Sequence, residues 1–291
     1  MGRQQYPEPT PLPANIKHPL FLLYHHPHSL ASLAATFCIE FAKAAHPSAQ
    51  THIIQIEVVL DENGRLPCEY LNTNPTGAVP ALIRPPPETP ISSSIDIVNY
   101  FAQRDFPSLM PPAHKAEIEN LLLRKRSIFE RDIILVTYLR TPFESYPLIG
   151  DIVPEMREKE KRDEIHYAFE IPELHQAEDR IKSWLTSVYI VRMRFKRAGK
   201  MWLFGTQHGT ALDAHAAVLI HRLLDIKKIE MINTELLWWA QTVFSSHFWD
   251  QVSKGKDTMG GGGRPPMQDT MAISDTDEVS TQDIKGKGQA E

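Results

Sequence analysis

The sequence predicts an α/β domain over residues 19–104 followed by an all-α domain over 115–252. Two observations carry this. Before residue 104, strand-length apolar and β-branched runs alternate with an alanine-rich amphipathic helix and close on turn chemistry and a second helix. After residue 115 every apolar run has helical spacing, punctuated by proline and glycine. With 291 residues and a 42% apolar fraction, the chain holds enough material for two cores.

Composition sets the outer limits. A net charge of -5 fits a soluble protein and argues against a nucleic-acid partner. No apolar run is long enough to span a bilayer, so no membrane association is expected. Two cysteines, Cys38 and Cys68, make no disulfide framework and suit a reducing, cytoplasmic setting. The first residues lack the apolar stretch of a secretory signal and the serine or threonine of a myristoylation motif, so neither is expected.

Residues 1–18, with Pro7, Pro9, Pro11 and Pro13 among polar residues, are expected to be a disordered leader. The first strand is 20–24, ended by the polar turn His25, His26, Pro27 and His28. Ser29 then opens a helix over 30–43, whose Leu30, Leu33, Ala34, Phe37, Ile39 and Phe41 form a broad buried face. A β-branched strand follows at 51–59, then a turn at 62–65 and a short helical segment at 66–71. Turn chemistry around Asn72, Asn74, Pro75 and Gly77 precedes a short strand at 79–83. Pro85, Pro86, Pro87 and Pro90 crowd the reversal after it, so any fourth strand near Ile91 is reduced to an edge.

Residues 105–114 read as a linker. A helix over 116–139 keeps Ile118, Leu121, Leu122, Ile128, Ile133 and Leu135 in register. The alternating charges of 155–164 are read as a solvated helix face before a partner site. Pro172 starts a helix with the stripe Ile181, Trp184, Leu185, Val188 and Val191. Arg192, Arg194, Lys196, Arg197 and Lys200 crowd its end, where cations suit a helix C-terminus, and Gly199 closes it. Thr210 with Asp213 three residues on forms a capping box for a helix over 211–224. A last helical region covers 226–252, and 253–291 is expected to be a disordered tail.

The stretch 69–101 carries the ligand chemistry. Pro80 at the head of a buried strand needs a special geometry, and a cis peptide would turn the backbone groups of Val79 outward. Ser92, Ser93 and Ser94 before a helix offer a cap and free N–H groups, which favour an anion. Together they suit a short acidic peptide.

The spacing N-P-x-G-x-V-P-A-L, then S-S-x-x-I-x-x-Y-F, resembles the thioredoxin-like domain of cytosolic glutathione S-transferases. The Leu203, Phe204, Gly205 and Thr210, Asp213 pieces resemble the element that starts the central helix of that family's second domain. The resemblance spans about residues 19–252, and the element order 20–101 matches it. It implies a thioredoxin-like glutathione-binding domain, an all-helical domain and a homodimer. It also implies glutathione as co-substrate, with its thiolate conjugated to a small hydrophobic electrophile. The long proline-rich loops resemble fungal transferase-like proteins of secondary metabolism. A non-catalytic transferase-like module for interaction or regulation is the alternative.

By the resemblance, Val79 contacts the cysteinyl moiety, Pro80 is the cis-proline presenting it, and Ser94 holds the γ-glutamyl carboxylate. Ser93 stands where the family has an acid or amide, with Asp96 two residues late as a partial replacement. The thiol-activating group lies at the end of the first strand or at the next helix start. Ser29 is the first candidate and equally a plain N-cap; Tyr24 is the second and equally a core residue; His26 is a third, polar contact. No cysteine occupies that turn, and Cys38 reads as core. His25, His26 and His28 diverge in a turn without acidic or thiol neighbours, so no metal is expected. Phe129, Tyr138 and Trp239 are candidates to line the electrophile site, or simply helix core.

Overall fold

The computed structural model describes residues 20–60, 66–85, 88–138, 171–196 and 199–259, omitting the side chains at 127, 129, 130, 138, 171 and 172. The 1–18 leader, the 62–65 turn, the 155–164 charge pattern and most of the tail expected from 253 lie outside the described residues. So do the side chains of Phe129 and Tyr138.

Strand β1 (Leu20–His25) sits between β2 (His52–Glu57), to which it is parallel, and β3 (Ala81–Ile83), to which it is antiparallel. Period-2 alternation sends Phe21 and Leu23 into the main core. Tyr24 packs beside the smaller cluster of Val58, Tyr70 and Ala81. The expected fourth strand is a single bridge, Leu82 to Ile91, just past the proline-rich reversal. The expected second strand, 51–59, is shorter, because its pairing with β1 ends at His25 and Glu57.

Helix α1 (Leu30–Ala45) covers one sheet face, joined by α3 (Ser94–Ala102), while α2 (Cys68–Thr73) contributes Tyr70 to the smaller cluster. The 105–114 linker is well packed: Phe106, Leu109 and Met110 are buried around a short 3-10 turn, Pro107–Leu109.

The second domain opens with α4 (Lys115–Ser127), passes through a π-helical turn at Ile128–Asp132, and continues as α5 (Ile133–Tyr138). A single uninterrupted α-helix was the sequence expectation. The five-residue step from Ile128 to Ile133 is the period of a π turn, and it lets both side chains stay buried. It also turns Asp132 inward, where Arg180 grips the carboxylate with bonds of 2.7 and 2.9 Å.

Helix α6 (Ile171–Phe195) buries the predicted stripe, and the Trp184 indole donates to the Leu121 carbonyl at 2.9 Å. Its basic end is tied down inside the chain: Arg194 pairs with Glu117, Lys196 and Arg192 with Glu235, and Arg192 also donates to the carbonyls of Lys200 and Trp202.

Helix α7 (Ala211–Asp225) is buried from Ala211 to Leu223, as a central helix must be. Asp213 fixes its start, accepting from the Thr210 N–H and hydroxyl and from the Leu203 N–H at 2.6–2.8 Å. The last region is not one helix over 226–252. It divides into a 3-10 turn, α8 (Thr234–Phe244) and α9 (His247–Ser253), because Asn233 and Ser246 cap new helix starts, their side chains accepting from the N–H groups of Glu235 and Trp249. Nor does packing stop at Val252: Thr258 and Met259 are buried, and Thr258 bonds to Arg222 and Asp225 of α7.

Candidate functional site

The N-terminal end of α1 and the loop before β3 meet across fifty positions of sequence. Ser29 has the extended backbone of an N-cap, and its hydroxyl accepts the Ser32 N–H at 3.2 Å. The same hydroxyl donates to the Val79 carbonyl at 3.4 Å. The Val79–Pro80 peptide is cis, as the sequence suggested, and Pro80 is buried while Val79 stays half-buried. The Ser29 hydroxyl, the helix terminus and the Val79 backbone therefore converge on one point.

The loop that carries Val79 is held by two residues that sequence reasoning passed over. Asn74, 2% exposed, donates to the Ala78 carbonyl at 2.9 Å and to the Tyr70 hydroxyl at 3.0 Å. Tyr70 donates in turn to the Ala78 carbonyl. Gly77 supplies the left-handed residue that the turn needs, at φ 64°. The Asn-Pro turn was a legible signal for a bracing Asn side chain.

His26 is buried beside Ser29, its N–H donating to the Ser32 hydroxyl at 3.2 Å. Its Nδ1 accepts the His28 N–H at 3.3 Å, which leaves the ring proton on Nε2. Burial, then the neighbouring His28, His25 and Lys256, push its pKa down to about 4. At neutral pH the ring is an uncharged donor. Burial also lowers His25 and His28. Tyr24 packs on Tyr70 with ring centroids 5.0 Å apart, in the small cluster against which Val79 also packs. Cys38 is fully buried in α1, and burial pushes its thiol far up. No cluster of metal-binding side chains occurs among the described residues.

Ser93 and Ser94, at the second helix start, are both engaged. Ser93 is the N-cap of α3, accepting from the Asp96 N–H at 3.4 Å and from Arg126 at 3.3 Å. Asp96 pairs with Arg126 at 3.2 Å. Ser94 points to the domain interface, where its hydroxyl lies 3.3 Å from His215 Nε2. The other ring nitrogen of His215 sits 2.7 Å from the Ala211 carbonyl and so carries the proton. Full burial holds the ring neutral, with its pKa well below the ordinary value, so Ser94 donates and His215 accepts. Trp239 is 2% exposed within the main core.

Similarity to solved structures decides the fold. A glutathione S-transferase from Methylobacterium radiotolerans, solved with glutathione sulfonate, superposes with TM-score 0.52 at 14% identity, over 80% of this chain and 94% of that one. Glutathione S-transferase III in its apo form gives TM-score 0.54 at 16% identity, over 84% and 99%. This chain has the glutathione S-transferase fold. A transferase-family member from Pseudomonas fluorescens with two glutathiones bound gives TM-score 0.52 at 14% identity, over 80% and 92%. No family model matches the sequence, and no curated protein sequence does either. Within the glutathione S-transferase fold, the α1 start and the loop before β3 are the elements brought together here. No helix among the described residues is long and apolar enough to cross a membrane.

Proposed function

We propose that the protein binds glutathione and transfers its thiolate to a hydrophobic electrophile. One observation carries the reading: the Ser29 hydroxyl and the free end of α1 sit against the Val79 backbone. Val79 pairs with the extended peptide and brings the cysteinyl sulfur to the helix terminus. There the positive end of the helix dipole and the Ser29 hydroxyl favour thiolate over thiol. The neutral His26 ring adds a donor without a charge that would need solvation. The thiol proton leaves to solvent, and the sulfur lone pair forms the bond to the electrophilic carbon while the leaving group departs with its electrons. At the γ-glutamyl end the first N–H groups of α3 receive the carboxylate, and Arg126 lends positive charge nearby.

A second reading is favoured by a separate observation. The Ser94 hydroxyl is engaged by His215, and no acid stands at Ser93 to hold the γ-glutamyl amine. A transferase-like module without catalysis would tolerate both. Glutathione resin separates the readings: retention, with thiolate absorbance from the bound peptide near neutral pH, supports transfer. Passage through the resin with no thiolate signal supports the module.

The same reading extends to a cytoplasmic homodimer acting on an electrophile of secondary metabolism, which rests on the resemblance to fungal transferase-like proteins. Leu123 at 68% exposed, with Ile190 and Met193 about half exposed, offers apolar surface on α4 and α6 to a second copy. Sedimentation as a monomer would count against the dimer.

A further inference from the structure

Arg222 is a guanidinium only 2% exposed, on the central helix α7. A buried charge of that kind must be fully hydrogen-bonded to be tolerated. Its partners lie on two segments far apart in sequence. Nε donates to the Thr258 hydroxyl and Nη2 to the Thr258 carbonyl, both at 2.7 Å. Nη2 also donates to the His28 carbonyl at 3.1 Å, inside the 26–29 turn. One nitrogen thus touches both the end of the chain's last described segment and the turn that sets Ser29.

The segment 254–259 is built to reach that position. Lys254 and Gly255 take left-handed backbone, at φ 50° and 70°, and reverse the chain after α9. Thr258 then docks on α7, its N–H and hydroxyl donating to Asp225 at 2.9 and 2.7 Å. Asp225 is in turn 3.1 Å from His221, whose ring packs against Phe244 and Trp249. Thr258 is 1% exposed. Its hydroxyl accepts from Arg222 and donates to Asp225, so it completes a chain of buried bonds. The segment also acts on the turn electrostatically: beyond burial, the Lys256 charge lowers the pKa of His26 and His28, and the Asp257 carboxylate raises that of His28.

We propose that Arg222 is a positioning residue for the thiol site, and that Thr258 is the latch through which it locks the 26–29 turn. In this arrangement the strap 254–259 fixes the His26 and Ser29 backbone from outside their own domain. The effect on glutathione rests on the reading given above; the mechanical lock does not.

The test uses the full chain and two near-isosteric variants. Thr258→Val removes the latch hydroxyl, and Thr258→Ser restores it. In hydrogen exchange without glutathione, Thr258→Val should exchange about tenfold faster at residues 256–259 and at the amides of His26, His28 and Ser29. Thr258→Ser should match the parent. With glutathione bound, the thiol pKa should rise in Thr258→Val and return in Thr258→Ser. Faster exchange in the strap with an unchanged 26–29 turn overturns the lock, as does a strap already unprotected in the parent. If Thr258→Val does not fold, Arg222→Lys takes its place, since a single ammonium cannot span Thr258 and His28 as the fork does; a turn as protected as in the parent again overturns the lock. Failure of the parent to bind glutathione overturns the transferase reading and leaves the exchange result standing.

Discussion

Ser29→Ala separates two roles that occupy the same oxygen. As an N-cap, that oxygen accepts the Ser32 N–H at 3.2 Å. Its loss should cost about 1 kcal/mol, and the 3.4 Å bond to the Val79 carbonyl is too long to add much. For a folded unit of this size the cost corresponds to a melting temperature lower by about 2–4 °C. As the thiolate donor, the hydroxyl should matter more: removing one preorganised donor to a reacting anion costs roughly a hundred- to a thousand-fold in rate, or about 3–4 kcal/mol. The assay is conjugation of glutathione with a chlorodinitrobenzene, run beside a thermal melt and a glutathione titration. The expected outcome is a small loss of stability, nearly unchanged glutathione affinity and a collapse in turnover. Ser29→Thr keeps cap and donor and serves as the control. A variant that melts a few degrees lower but conjugates at the parent rate would refute the donor role and leave Ser29 a cap.

Three further outcomes follow from the geometry. His26 is neutral in the fold with a pKa of about 4, against an ordinary 6.5, so its contribution is complete above pH 6.5 and is lost as pH falls toward 4. That gap is worth about 3 kcal/mol; Asp213, raised to about 6 by burial, acts in the opposite sense, so the comparison is of urea midpoints for the parent and His26→Gln. The variant should show the shallower acid loss, and equal slopes would rule the assignment out. Ser94→Ala removes the buried bond to His215 Nε2 and should destabilise by about 0.5–1.5 kcal/mol without changing glutathione affinity; a tenfold weaker affinity would instead assign the hydroxyl to the ligand. Gly209→Ala would set a Cβ 3.0 Å from the Phe41 ring and 3.1 Å from Trp202, and a chemical melt should register about 1–3 kcal/mol of overpacking.

What the sequence could reveal followed from how local each feature is. The α1 start, the reversal around Pro80 and the Asp213 cap are written in neighbouring residues, and each is found where its residues place it. The breaks at Asn233 and Ser246 were equally local but were hidden beneath a run of Leu, Trp and Phe. The π turn shows only as a five-residue step between two isoleucines, a spacing that an α-helical reading absorbs. Ser94 is another case: its hydroxyl is claimed by a histidine 121 positions away, which no local pattern announces. The Arg222 bridge is of the same kind, since a lone arginine in an apolar helix gives no hint of its partners.

Helix α1 has a consequence for what the word domain means in this molecule. Its thiol-site end belongs to the first half of the chain, yet Phe37 stacks edge-on against Trp249 at 5.2 Å and Phe41 lies 5.3 Å from Trp202. One apolar cluster runs without a break from Phe21 on β1 to Trp249 on α9. Each half therefore serves as the other's solvent shield, and cutting between them would bare the apolar face of α1 that carries Phe37 and Phe41. The boundary near residue 105 divides the sequence but not the thermodynamics. Calorimetry should find one cooperative melt, with the thiol site lost at the same temperature as the helical core.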